Sequence, residues 1–151
     1  MENLVVDLGF TSFPYKNTCV GGNLSPEIRL KGFSAKSIAV VAINPFEKCC
    51  SFASWLIWNI PPMHTIPEGI PAEPEPVKPV RAKQGKNDYG LTGYSGPCAP
   101  PGASIRYLVK VYGLDGPLDL PAGSTKDELF KAMEGHVVQY GDTVAMFTSP
   151  E

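Results

Sequence analysis

No apolar run in this sequence reaches about 18 residues, the length a membrane-spanning helix needs, so no such helix is expected. The opening MENLVVDLGF carries acids at Glu2 and Asp7 and no long apolar stretch, so it does not read as a signal peptide. The simplest compartment is the cytoplasm. Charge of one sign is also scarce. The formal net charge is −2, and Lys78, Arg81, Lys83 and Lys86 are scattered rather than clustered, so nucleic acid is not an expected partner.

Paired-cysteine metal spacing is absent. Cys19, Cys49, Cys50 and Cys98 form no CxxC, and adjacent Cys49 and Cys50 are poorly placed to share one tetrahedral ion, so no zinc site and no cofactor are expected. Cytoplasmic thiols are reduced by default, hyperthermophiles excepted. A Cys19–Cys98 bridge is an open hypothesis, which four free thiols in the denatured, unreduced protein would end.

Catalytic signatures are missing as well. Histidine occurs only as His64, inside a proline-rich stretch, and His136, at a helix end where it suits the dipole. Gly93-Tyr94-Ser95-Gly96-Pro97 approaches a nucleophile elbow, but Pro97 stands where the second glycine belongs. Gly85-Lys86 lacks the rest of a phosphate loop, and no HExxH, EF-hand or dinucleotide fingerprint occurs. The expectation is a non-enzyme.

What is present is an ordinary globular composition, 43% hydrophobic and 19% charged over 151 residues, read as a single domain spanning 1–151. Leu4–Leu8 reads as a first strand and Glu27–Leu30 as a short edge strand. Ser37–Ile43 and Ala53–Ile60 are β-branched or apolar runs without helical period, hence buried strands. Residues 61–84 form a proline-rich surface excursion, with seven prolines between Pro61 and Pro79. Gly85–Gly102 interleaves Gly and Pro with Tyr89, Tyr94 and Asn87-Asp88, which indicates a shaped loop rather than a linker. It feeds Ile105–Leu114, where Ile105, Tyr107, Val109 and Val111 alternate with polar residues as in a half-buried strand. A helix follows, capped by Ser124 or Thr125, with Leu129, Phe130, Met133 and Val137 as its apolar stripe and an interruption at Gly135. Thr143–Phe147 is the closing strand. The sum is a mainly β domain with a C-terminal helix.

Four ordered blocks carry a resemblance. They are Cys19-x-Gly-x-Asn-x-Ser-Pro26, Trp55-Leu-Ile-Trp-Asn-Ile-Pro61, Gly85-Lys-Asn-Asp-Tyr-Gly90 continuing through Gly93-Tyr-Ser-Gly-Pro-Cys-Ala-Pro-Pro-Gly102 to Arg106-Tyr107, and Ala132-Met-Glu-Gly-His136. In order and spacing they resemble the phosphatidylethanolamine-binding protein family, also called the Raf kinase inhibitor-like family, in its compact bacterial and archaeal form. The resemblance implies two antiparallel sheets in a Greek-key β-sandwich. It also implies a small pocket for anions such as phosphate or a phospholipid headgroup. Mapped onto this chain, the pocket residues are Asn44, Pro45, Ser54, Asp88, Gly96, Pro97, Cys98, Ile105 and Tyr107.

Three positions depart from the family pattern. Asn44-Pro45-Phe46-Glu47-Lys48 replaces Asp-Pro-Asp-Ala-Pro, Ser54 replaces the His before the Trp, and Ile105 replaces the His of His-Arg-Tyr. Losing the carboxylate removes a charge repulsive to anions, while losing two imidazoles removes two donors able to carry positive charge. Phe46 and Ile105 make the pocket more apolar. The resemblance includes members that inhibit serine proteases or bind kinases. The first expectation is therefore a non-enzymatic regulatory protein that inhibits a protease or kinase partner, with the stiff proline-rich segment as its surface. The alternative is a small-molecule, anion or phospholipid-headgroup module using the altered pocket.

Overall fold

The structure, a computed structural model, describes residues 2–44 and 52–149. Nine strands and one α-helix are built from them: β1 Glu2–Asn3, β2 Val5–Asp7, β3 Ile28–Lys31, β4 Ser37–Asn44, β5 Phe52–Ile60, β6 Thr65–Ile66, β7 Lys83–Gln84, β8 Ser104–Leu114, α1 Lys126–Met133 and β9 Val137–Thr148. They form a six-stranded sheet ordered β1-β9-β8-β4-β5-β7 and a three-stranded sheet ordered β2-β3-β6. The mainly β, two-sheet architecture expected from the sequence is what the chain adopts. Strand pairing is antiparallel except for β1, which runs parallel to β9.

The absence of alternation in β4 has a direct cause, because this strand is covered on both faces. Ile38, Val40 and Ala42 join Val6, Ile28, Leu30 and Ile66 in the core between the sheets. Ala39, Val41 and Ile43 join Leu118, Leu120, Leu129 and Met133 in a second core beneath α1. The neighbouring β5 does the same with two irregularities. Its pairing with β4 steps from Ala42↔Trp55 to Ile43↔Ala53, so Ser54 is an extra, bulged residue. A second shift lies between Val40↔Ile57 and Ile38↔Ile60, where Asn59 has φ +58. Asn59 compensates by clasping Leu118 through both its side-chain amide groups.

Several elements differ from expectation. Leu4–Leu8 is not one strand: Leu4 donates its N–H to the Tyr140 carbonyl at 2.9 Å, and the chain then passes from the large sheet to the small one. The segment expected as an edge strand is the middle of the three-stranded sheet, because its second neighbour, β6, is two residues long and too short to announce itself. Val137 is not helical. Helix α1 ends at Met133, Gly135 turns the chain at φ +80, and the β-branched Val137 opens a twelve-residue strand. Within the proline-rich segment, Glu73, Glu75 and Val77 are exposed, while Ile66 and Ile70 are buried in the core between the sheets.

Candidate functional site

The shaped loop is held by one side chain more than any other. Asn87, 3% exposed, donates from Nδ2 to the Gly93 carbonyl and to Ser95 Oγ, each at 3.0 Å. Its Oδ1 accepts the N–H groups of Tyr89 and Leu91 at 3.0 and 3.1 Å. Asp88 ties the loop to β5, accepting the Ala53 N–H at 2.8 Å, and approaches Lys126 Nζ at 3.5 Å. Tyr94 packs edge-on against Trp55 and donates its hydroxyl to the Asn17 carbonyl at 2.6 Å. Burial pushes the Tyr94 phenol well above its usual range, so at neutral pH this hydroxyl is a donor.

These contacts fix the segment Gly96–Pro100, which is clamped from the other side by residues 17–24. Asn23 Oδ1 accepts the Gly96 N–H at 2.6 Å, and the Cys19 N–H donates to the Pro97 carbonyl at 3.2 Å. A Cys19–Cys98 disulfide with Cα atoms 5.4 Å apart closes the clamp. The thiol pairing left open by the sequence is therefore formed.

Beside this clamp lies a cavity of about 540 Å³, lined by Asn44, Cys98, Ala99, Pro100, Ser104, Ile105, Arg106 and Met146. It sits where β4 ends, where β8 begins and where β9 finishes, with the loop as its fourth wall. Arg106 and Met146 are register partners across β8 and β9. A smaller depression of about 200 Å³ adjoins it, lined by both disulfide cysteines with Asn23, Tyr89, Leu91, Ser95 and Gly96.

Of the residues mapped from the sequence, Asn44, Cys98 and Ile105 line the cavity and Gly96 lines the depression. Ser54 stands behind the wall at 1% exposure, its hydroxyl donating to the Ala42 carbonyl and its carbonyl accepting the Ser95 N–H. Asp88 holds the loop, Pro97 carries the carbonyl that Cys19 uses, and Tyr107 is buried edge-on to Phe13. Pro45 lies outside the described residues, as do Phe46 and Glu47. Sequence reasoning missed Ala99, Pro100, Ser104, Arg106 and Met146 as lining. The signal for Arg106 was present: alternation in β8 puts it opposite the buried face of Tyr107 and Val109, hence on the open side.

Arg106 is exposed, and no described carboxylate pairs with it. The cavity therefore joins one available guanidinium to the polar side chains of Asn44 and Ser104 and to apolar Ile105 and Met146.

A family model described as phosphatidylethanolamine-binding protein matches residues 8–148. The chain belongs to that family. A UPF0098 protein of Pyrococcus abyssi is 45% identical over 137 residues, covering 89% of this chain and 77% of that protein. A UPF0098 protein of Methanothermobacter thermautotrophicus is 37% identical, covering 89% of each chain. Among solved structures, a phosphatidylethanolamine-binding protein homologue from Chlamydia trachomatis superposes with a TM-score of 0.79 at 27% identity, over 100% of this chain and 99% of that one. Escherichia coli YbcL, described as a new member of the mammalian PEBP family, superposes with a TM-score of 0.83 at 22% identity over 96% and 98%, which concerns the fold alone. No helix among the described residues is long and apolar enough to cross a membrane.

Proposed function

We propose that this family member is a non-enzymatic binding protein whose cavity takes a small anion or anionic headgroup, with Arg106 supplying the positive charge. The observation that carries this reading is the placement of Arg106 on the cavity wall without a described carboxylate partner. The two imidazoles of the family pattern are replaced by buried Ser54 and by Ile105, so a cation must come from elsewhere, and a guanidinium suits phosphate geometry. Asn44 and Ser104 add hydrogen-bonding groups. The family's description supports a phosphorylated ligand class, and the described walls carry no His, Asp or Glu with which to run acid–base chemistry.

The test is calorimetric titration of phosphate and of phosphoethanolamine into the wild type, Arg106→Gln and the triple variant Asn44→Asp/Ser54→His/Ile105→His. Wild-type binding weakened about tenfold or more by Arg106→Gln is the expected result, since a charge-assisted pair contributes about 1.5–3 kcal/mol. A silent wild type, with binding only in the triple variant, would overturn it.

A second reading, inhibition of a protease or kinase by surface contact, draws on the proline-rich segment. There Val77 is 57% exposed on a groove with Glu75, Arg81 and Lys83. Absence of inhibition across chymotrypsin-like and elastase-like enzymes would count against the protease form of it.

A further inference from the structure

The Cys19–Cys98 bridge is neither buried nor symmetric. Cys98 is exposed and Cys19 half-buried. Both cysteines border the small depression, but only Cys98 also borders the 540 Å³ cavity. Exchange on a disulfide proceeds by attack of a thiolate on one sulfur as the other departs, and access decides which sulfur is attacked. The incoming sulfur must approach roughly opposite the departing one. Of the two cysteines only Cys98 lines the large cavity, so a thiolate arriving there has Cys98 to attack, and Cys19 is then the leaving group.

Arg106 lines that same cavity. A cation there favours the thiolate over the thiol and concentrates anionic molecules. Exposed disulfides are also the labile members of their class.

We propose that Cys98 is a thiol-exchange site for small anionic thiols, which enter by the cavity that Arg106 lines. The thiolate RS⁻ attacks Cys98 Sγ, and an RS–S(Cys98) bond forms as the Cys98–Cys19 bond breaks. The electron pair leaves on Cys19 as a thiolate, which then takes a proton from water. One disulfide is exchanged for another, so no separate oxidant or reductant is needed. The adduct occupies the cavity wall. Residues 19–23 remain tethered by the Cys19 N–H to Pro97 carbonyl bond and by Asn23 Oδ1 to Gly96, which keeps Cys19 close for the reverse attack. The site shares a wall with the anion pocket, yet neither its bond-making sulfur nor its readout depends on phosphate binding.

The experiment uses the intact chain with its free thiols blocked beforehand. It is then incubated with glutathione or mercaptoethanesulfonate, both anionic, or with cationic cysteamine. Newly freed thiols are trapped by alkylation, and peptides are mapped by mass. The expected result is an adduct on Cys98 and an alkyl group on Cys19, with anionic thiols reacting about tenfold faster than cysteamine at equal thiolate concentration. Arg106→Gln should remove that preference while the wild-type fold is retained by circular dichroism. In Cys19→Ser, oxidised glutathione should label Cys98 directly. In Cys98→Ser it should leave Cys19 largely unlabelled. Adducts on Cys19, no exchange at all, or equal rates for both thiol classes would each overturn the proposal. A wild type that binds no phosphate but shows the mapped, charge-selective adduct would sink only the anion reading.

Discussion

The carbonyl oxygen of Asn17 occupies the place where a Cβ on residue 96 would stand. Gly96 is therefore required by close approach of two backbones, and its N–H is used by Asn23 Oδ1 at 2.6 Å. Gly96→Ala should push the rim away from residues 17–23 and destabilise the protein by about 1–3 kcal/mol, the usual range for overpacking. Urea unfolding would check this. An unchanged midpoint would mean that the clamp is looser than its contacts imply.

Asn87 makes four short hydrogen bonds within one loop and is almost fully buried. Asn87→Ala strands several of those partners and is expected to lower stability by about 3 kcal/mol. Asn87→Asp separates the two halves of the role: a carboxylate can still accept from Tyr89 and Leu91 but cannot donate to Gly93 or Ser95. Hydrogen exchange should then remain slow at the Tyr89 and Leu91 amides and become faster toward Ser95. Uniform loosening along the loop would refute that division.

Much of the fold was legible in the sequence because β4, β5 and β8 carry period-two or fully apolar patterns, and these reflect burial directly. The shaped loop was legible for the same kind of reason, since Tyr94 and Asn87 are expensive residues to leave in a linker. The short strands β1, β6 and β7 were not legible, because two residues have no period, while β2 was read only as part of the longer Leu4–Leu8 run. Ser54 was misleading: a bulge turns its hydroxyl to the Ala42 carbonyl, and no local pattern announces a bulge. Asn44 and Ile105 fell on the cavity because they stand where β4 ends and β8 begins, and Cys98 because the clamped loop forms the fourth wall. Arg106 was overlooked although the alternation in β8 placed it on the open face.

The disulfide closes a loop with a sequence separation of 79 residues. On the chain-entropy account, a closed loop of that size stabilises by about 4.5 kcal/mol. The Cys19→Ser/Cys98→Ser pair should lower the unfolding free energy by an amount of that order, with the loss matched by reducing the wild type. A reduced wild type as stable as the oxidised one would overturn the chain-entropy account for this bridge.

Tyr112 and Tyr140 pack at 5.1 Å between ring centroids. Burial, and secondarily the Asp142 carboxylate, pushes the Tyr112 phenol up from 10.0 to about 12. A group with a raised folded pKa keeps its full contribution below the unfolded value and loses it as pH rises through the folded one. Stability should hold to about pH 10 and fall between there and about 12. Tyr112→Phe should flatten that fall, and ultraviolet titration of the phenols against a denatured control is the direct check.

Helix α1 starts with a reciprocal cap. Thr125 Oγ1 accepts the Glu128 N–H at 3.4 Å, and Glu128 Oε1 accepts the Thr125 N–H at 2.9 Å. Hydrogen bonding from the Thr125 backbone and then from its hydroxyl holds the Glu128 carboxyl below its ordinary value of 4.5. A lowered folded pKa means stability that is present above the unfolded value and lost as pH falls through the folded one. Thr125→Ala removes the hydroxyl that accepts the Glu128 N–H, a capping loss of about 1 kcal/mol at neutral pH, and keeps the backbone bond to the carboxylate. The difference between wild type and variant should narrow as pH falls below 4.5 and on through the lowered folded value, beneath which Glu128 is protonated in both. Paired urea titrations at neutral and acidic pH test this. A gap independent of pH would place the effect in the threonine hydroxyl alone and leave the carboxylate without a part in it.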